Sequence, residues 1–195
     1  MMKKKTLFRD NFIFGKNSKI NIYEKYNFLN DTEIQKIINS INPEDLGQYD
    51  YFKGNHKTTY VSLANGAYIL DLHKDIEDKI MNEVVIKDQR MQDSWVNIQG
   101  EGSTLKYHNH PGSVISGVIV LKADEHSSKL VFKNPYSKPP KIETEEITLT
   151  TGLLLMWPSI LMHGSGDSVN QSKDRAVLSF NTWPTAKAFN AWAKK

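Results

Sequence analysis

After Gln89 the chain changes character, and this change limits its fold more than any other feature. Short apolar or alternating runs at 91–98, 104–108, 114–122, 129–134, 141–149, 153–158 and 176–182 are separated by clusters of turn-forming residues. Strand-length runs at such spacing read as an all-β sandwich or barrel, because each must bury one face against its neighbours. Pro135-Tyr136-Ser137-Lys138-Pro139-Pro140 lies between two of them. It reads as a loop and not a linker, since the strands on either side need each other's cover. A core of this kind fits 195 residues with 39% hydrophobic content, and the expectation is one domain spanning 1–195.

The residues before this core read differently. Asn30 or Asp31 is placed as an N-cap with Glu33 in the first turn, and Ile34, Ile37, Ile38 and Ile41 follow at helical spacing. The pattern predicts an amphipathic helix over 31–41, closed by Pro43. Leu72, Ile76, Ile80 and Val84 predict a second helix over 72–86. Ile20-Asn21-Ile22-Tyr23 reads as a short strand, Thr58 to Leu63 as extended, and Asn65-Gly66 as a turn. Pro184 opens a short helix with Ala188, Phe189 and Trp192 as a docking stripe. The expected architecture is mostly β with flanking helices: a helical or mixed N-terminal layer (1–90), a jelly-roll core (91–183) and a C-terminal helix (184–195).

Charge and composition exclude several classes. A net charge of +3 from 25 basic and 22 acidic residues gives no clustered basic face for nucleic acid. Lys3-Lys4-Lys5 reads as a solvated terminus. With no cysteine, neither disulfides nor a thiolate nucleophile can be invoked. Arg9, Asp10 and Asn11 interrupt any signal-peptide run, and Gly152 to Met162 is too short for a bilayer and contains Pro158. The expectation is a cytoplasmic protein, in the host cytoplasm if phage-encoded, with no membrane partner and a homodimer as one allowed assembly.

The chemistry concentrates at three histidines. On a strand, residues i and i+2 share a face, so His108 and His110 aim two imidazoles to one side of the sheet. His163 follows Pro158 and precedes Gly164-Ser165-Gly166, which places it at another strand end. Three converging imidazoles suit a first-row transition metal with open positions. His56, His73 and His126 lack such context and read as structural or surface residues. Trp95, Trp157 and Trp183 read as core or pocket wall.

The spacing of Gly102, His108-x-His110 and Gly117, and then of Gly152, Pro158 and His163, resembles the two metal motifs of the cupins and implies a double-stranded β-helix. The glutamate that cupins add after His-x-His is replaced here by Val114-Ile115. A fuller resemblance runs over roughly 91–182. Trp95-Val96-Asn97, His108-Asn109-His110-Pro111-Gly112-Ser113, Ser116-Gly117-Val118, Trp157 to Gly164, Arg175 and Ser179-Phe180-Asn181 are similar to the 2-oxoglutarate/iron(II)-dependent oxygenases of bacteria and phages.

That resemblance implies Fe(II), 2-oxoglutarate and O2, and oxidation, chiefly hydroxylation, of a primary substrate left open among protein side chain, nucleobase and small molecule. It puts His108 and His163 in the two histidine roles and His110 where the family's carboxylate usually stands. Either the centre has three histidines, which position and side-chain direction favour, or Asp167 or Glu101 supplies the third ligand. Arg175, opening an apolar strand, is the expected grip on the distal carboxylate of 2-oxoglutarate, since a guanidinium fork matches a planar anion. Ser179 and Asn181 share its face by alternation, and Asn97 and Tyr107 are further co-substrate candidates. The competing readings are a cupin-type enzyme that does not use 2-oxoglutarate and a non-catalytic jelly-roll binding module.

Overall fold

A computed structural model of the chain describes residues 1–10, 18–60 and 74–187. In chain order the elements are β1 (Lys3–Asp10), β2 (Ser18–Lys25), α1 (Asp31–Asn39), a 3-10 turn at Pro43–Asp45, β3 (Phe52–Lys53), β4 (His56–Thr58) and α2 (Lys74–Glu83). The remaining strands are β5 (Gln89–Gln99), β6 (Thr104–Leu105), β7 (Ile115–Lys122), β8 (Leu130–Lys133), β9 (Thr144–Ile147), β10 (Leu154–Pro158), β11 (His163–Gly164) and β12 (Arg175–Pro184). A seven-stranded sheet runs β1-β2-β10-β7-β12-β5-β4, a three-stranded sheet runs β11-β8-β9, and β3 pairs with β6. The described strand pairs are antiparallel. This is the jelly-roll, mostly β architecture that the strand-length runs predict.

The large sheet is covered on both faces, which explains why its strands read as near-continuous apolar runs. Ile119 and Leu121 of β7, Leu154 and Met156 of β10, and Leu178 and Phe180 of β12 pack with Ile34 and Ile37 of α1 and Ile76 and Ile80 of α2. On the opposite face, Val118, Val120, Leu155, Trp157 and Val177 pack against Leu130, Phe132 and Ile147 of the small sheet. Alternation along each strand divides the two cores. It leaves Asp93, Trp95, Asn97 and Gln99 of β5, and Arg175, Val177, Ser179 and Asn181 of β12, on the inward side.

One glycine is required by this packing. Gly117 lies opposite Phe180, and an added Cβ would stand 2.3 Å from the ring's Cζ and 3.0 Å from the Leu155 carbonyl oxygen. Gly117→Ala is therefore expected to destabilise by about 1–3 kcal/mol, the usual cost of overpacking. At roughly 2–4 °C per kcal/mol for a chain of this size, thermal unfolding would register the loss. An unchanged melting temperature would contradict this packing.

The N-terminal layer mixes strands and helices. Asn30 caps α1 in a reciprocal capping box with Glu33, and the helix ends at Asn39, short of the expected Ile41. Glu33 also takes an ion pair from Lys79 of α2. β1 and β2, the latter containing the Ile20–Tyr23 run that reads as a strand, form a hairpin that joins the large sheet where β2 pairs with β10. Lys3, Lys4 and Lys5, expected to be a solvated terminus, lie in its outermost strand, and Lys5 pairs with Glu145. Lysines on an exposed edge discourage pairing with other chains, so a polar run is what an edge strand favours. No described helix is long and apolar enough to cross a membrane. The expectations for Leu63, Asn65-Gly66, Leu72, His73 and the stripe Ala188, Phe189 and Trp192 lie outside the described residues.

Candidate metal centre

Backbone pairing places the histidines before any side chain acts. His108 and His163 form an isolated antiparallel bridge in which each N–H donates to the other's carbonyl at 2.9 Å. The His110 N–H donates to the Ser159 carbonyl at 2.9 Å, fixing the next turn of chain. The ring centroids of His108 and His163 are then 4.3 Å apart, with His110 5.0 Å from His108 and 5.2 Å from His163. One nitrogen from each ring lies within 4.8 Å of the others. Glu101 and Asp167, the alternative third ligands, are exposed and do not join this group.

The rings are prepared as ligands. His108 Nδ1 donates to the Lys106 carbonyl and His163 Nδ1 to the Leu161 carbonyl, each at 2.9 Å. A carbonyl only accepts, so each Nδ1 carries the proton and each Nε2 keeps its lone pair. Burial, then the neighbouring His108, pushes His163 well below the usual histidine range. The same two causes, in that order, bring His110 down to about 4. Burial also lowers His108, opposed by its hydrogen bond to Lys106. Neutral imidazoles at neutral pH are the form that binds a metal ion.

All three line a cavity of about 250 Å³ whose inward strands carry Arg175, Asn97, Ser179 and Asn181. Arg175 is 4% exposed. Burial lowers its pKa to about 10, which leaves it charged at neutral pH. Its Nη1 donates to Gln99 Oε1, its Nε has no partner, and among the described residues no carboxylate pairs with it. An uncompensated buried charge facing a cavity is costly unless an anion arrives there. The donor set and the orphaned Nε thus fit a metal ion with an anionic co-ligand.

The remaining candidates divide. Asn97 accepts from Thr58 Oγ1 at 2.7 Å and donates to Ser179 Oγ at 3.1 Å. Asn181 accepts from Ser116 Oγ at 2.6 Å. Tyr107 does not line the cavity. Its ring lies 3.8 Å from Lys133 Nζ and its hydroxyl lies near Gly166. Neighbouring residues on extended backbone face opposite ways, so Tyr107 stands apart from the ring of His108. His56 is structural: its Nε2 accepts from the Tyr49 N–H at 3.0 Å and its Nδ1 donates to Gly54. Sequence reasoning missed Gln99, Asp93 and Ser116, together with Tyr49, Tyr51 and Tyr60 on the cavity wall. Gln99 and Asp93 were within reach, as they alternate with Asn97 along β5.

Residues 93–181 match the family model described as "Putative 2OG-Fe(II) oxygenase". Residues 93–181 carry a 2OG-Fe(II) oxygenase domain. The chain is an oxidoreductase, and the family matched over these residues uses Fe(II), 2-oxoglutarate and O2, as the motif resemblance implies. Solved structures share the fold at low identity. An oxidoreductase of the 2OG-Fe(II) oxygenase family from Burkholderia pseudomallei is 10% identical, with TM-score 0.60, covering 83% of this chain and 85% of that one. HygX from Streptomyces hygroscopicus, with nickel and 2-oxoglutarate bound, is 11% identical, with TM-score 0.58, covering 85% and 83%. The viral collagen prolyl hydroxylase vCPH from Paramecium Bursaria Chlorella virus-1, a 2-oxoglutarate complex, is 14% identical, with TM-score 0.55, covering 83% and 94%. No curated protein matches the chain in sequence. The double-stranded β-helix of the oxygenase is therefore the fold of this chain as well.

Proposed function

We propose that the whole chain is one catalytic domain in which His108, His110 and His163 hold Fe(II) through Nε2 or the free ring nitrogen, and Arg175 grips the distal carboxylate of 2-oxoglutarate. When bound, iron with 2-oxoglutarate supplies the power to reduce O2 and oxidise a C–H bond, the co-substrate losing CO2. The chain's own part is geometry and exclusion of water. The Nδ1 bonds to Lys106 and Leu161 hold two rings in orientation. Gln99 steadies the Arg175 guanidinium, and the Asn97–Ser179 pair keeps the floor between arginine and histidines polar but internally satisfied. The observation that carries this reading is the buried, unneutralised Arg175 opening into the same cavity as the three neutral imidazoles.

The direct test is anaerobic titration of iron-loaded protein with 2-oxoglutarate, which should raise a weak visible charge-transfer band. Full iron occupancy with no band at saturating co-substrate would sink the proposal.

Position 110 has its own test. His110→Asp is expected to keep an iron site, since it restores two histidines and one carboxylate around the metal. His110→Ala should lose at least about tenfold in iron affinity, or roughly 1.4 kcal/mol. If the alanine variant binds iron like wild type, His110 is not a ligand.

A further inference from the structure

The cavity has two charged ends. Arg175 pairs in register with Gln99, and Asn181 with Asp93, so the arginine and the aspartate lie six residues apart along β5. At about 3.3 Å per residue the separation is roughly 20 Å. The arginine end is accounted for by the co-substrate. Nothing in the reading above uses the aspartate end.

Asp93 lines the cavity, and its Oδ1 is buried with no hydrogen-bond partner. Among the described residues no lysine, arginine or histidine forms an ion pair with it. Around it stands a connected aromatic wall. Tyr60 meets Trp95 at 5.0 Å and Tyr49 at 4.8 Å between ring centroids, and Tyr49 meets Tyr51 at 5.4 Å. The same wall reaches the histidines: Tyr51 lies 4.9 Å from His108, and Trp95 lies 5.8 Å from His110. The His56 ring fixes the Tyr49 backbone, so the wall is anchored and not loosely draped.

We infer that this end of the cavity receives a cationic group of the primary substrate, an ammonium or a guanidinium, paired with Asp93 and faced by the rings of Tyr49, Tyr51, Tyr60 and Trp95. The inference rests on the oxygenase reading for what happens next to that group, though not for its binding. A half-buried carboxylate with one oxygen unpartnered and no counter-charge is stabilised when a cation takes the vacant side. Aromatic faces attract the same cation and repel an anion, through the negative potential over the ring. Burial already pushes the Asp93 carboxyl up, opposed by Asn181, and pushes the Tyr60 phenol up, with Tyr49 and Asp93 adding to it. Both shifts would relax when a positive charge arrives. Because the wall runs from Asp93 to His108 and His110, a substrate anchored by its charge would lay carbon a few bonds away beside the histidines.

The test compares n-butylguanidinium with n-butylurea, which has nearly the same shape and no charge. The full chain is titrated by NMR without 2-oxoglutarate, once with Fe(II) under anaerobic conditions and once without metal. The guanidinium is expected to bind at least tenfold more tightly than the urea in both series. Asp93→Asn should bring the guanidinium down to the level of the urea, and Tyr60→Leu should weaken it in a protein that stays folded. Equal binding of the two probes to wild type would overturn the inference, and that comparison needs no variant. Undiminished guanidinium affinity in folded Asp93→Asn would overturn it as well, leaving the aspartate as a structural partner of Asn181. Since 2-oxoglutarate is absent, failure here is distinct from failure of the charge-transfer titration.

Discussion

His108→Ala and His163→Ala should each fold and fail to bind stoichiometric iron. The backbone explains why folding survives. The mutual N–H to carbonyl bonds between residues 108 and 163 do not involve the side chains. Both rings border an existing cavity, so truncation enlarges that space without unpacking the apolar layers on either side of the large sheet. Each variant does release one carbonyl, of Lys106 or Leu161, which accounts for a modest fall in melting temperature. The loss in iron affinity should exceed the 10–100-fold that removal of a partner behind a ligand typically costs. His126→Ala, at an exposed histidine beside Glu125, should change neither quantity. Full iron occupancy, measured by metal analysis after dialysis, in either cavity variant would remove that residue from the centre.

Where the sequence was informative, a short-range rule of geometry coincided with the chemistry. His108 and His110 are separated by the strand period, and Arg175, Ser179 and Asn181 by multiples of it, so their common faces follow without knowledge of the fold. Gly102 and Gly152, at corresponding places in the two motif stretches, both take φ of +81°, the turn geometry that a glycine before a strand permits. By the same rule Tyr107, adjacent to His108, falls on the other face, and it does not line the cavity. The rest depended on pairings between distant segments. Gln99 meets Arg175 only because β5 and β12 pair in one register. Tyr49, Tyr51 and Tyr60 come from a stretch with no periodicity, brought to the cavity where Phe52 pairs with Leu105 and Thr58 with Asn97. Of the β1–β2 hairpin only β2 was legible, through Ile20 to Tyr23; the outer strand β1 opens on lysines, as an edge strand can, and hydrophobic patterning does not register it.

Replacing Arg175 with methionine should separate co-substrate binding from both iron binding and stability. The substitution keeps apolar length and removes the fork. The distal carboxylate of 2-oxoglutarate would lose charge-assisted hydrogen bonds worth about 1.5–3 kcal/mol each. At about 1.4 kcal/mol per decade, affinity should fall on the order of tenfold to a hundredfold or more. Stability should move little, because two effects oppose. Gln99 Oε1 loses its donor, which destabilises, while a buried charge with no carboxylate partner disappears, which stabilises. Had Arg175 been neutralised by an acidic side chain, methionine would have left that acid buried and the fold weakened. The absence of such a partner among the described residues is what makes the two outcomes separable. Lysine at 175 should recover part of the affinity, since it offers a point charge without the bidentate geometry. Melting temperature and anaerobic 2-oxoglutarate titration of the iron-loaded variant read the two quantities independently. Unchanged co-substrate affinity in a folded, iron-loaded Arg175→Met protein would end the assignment of this residue and take with it the observation on which the 2-oxoglutarate site rests.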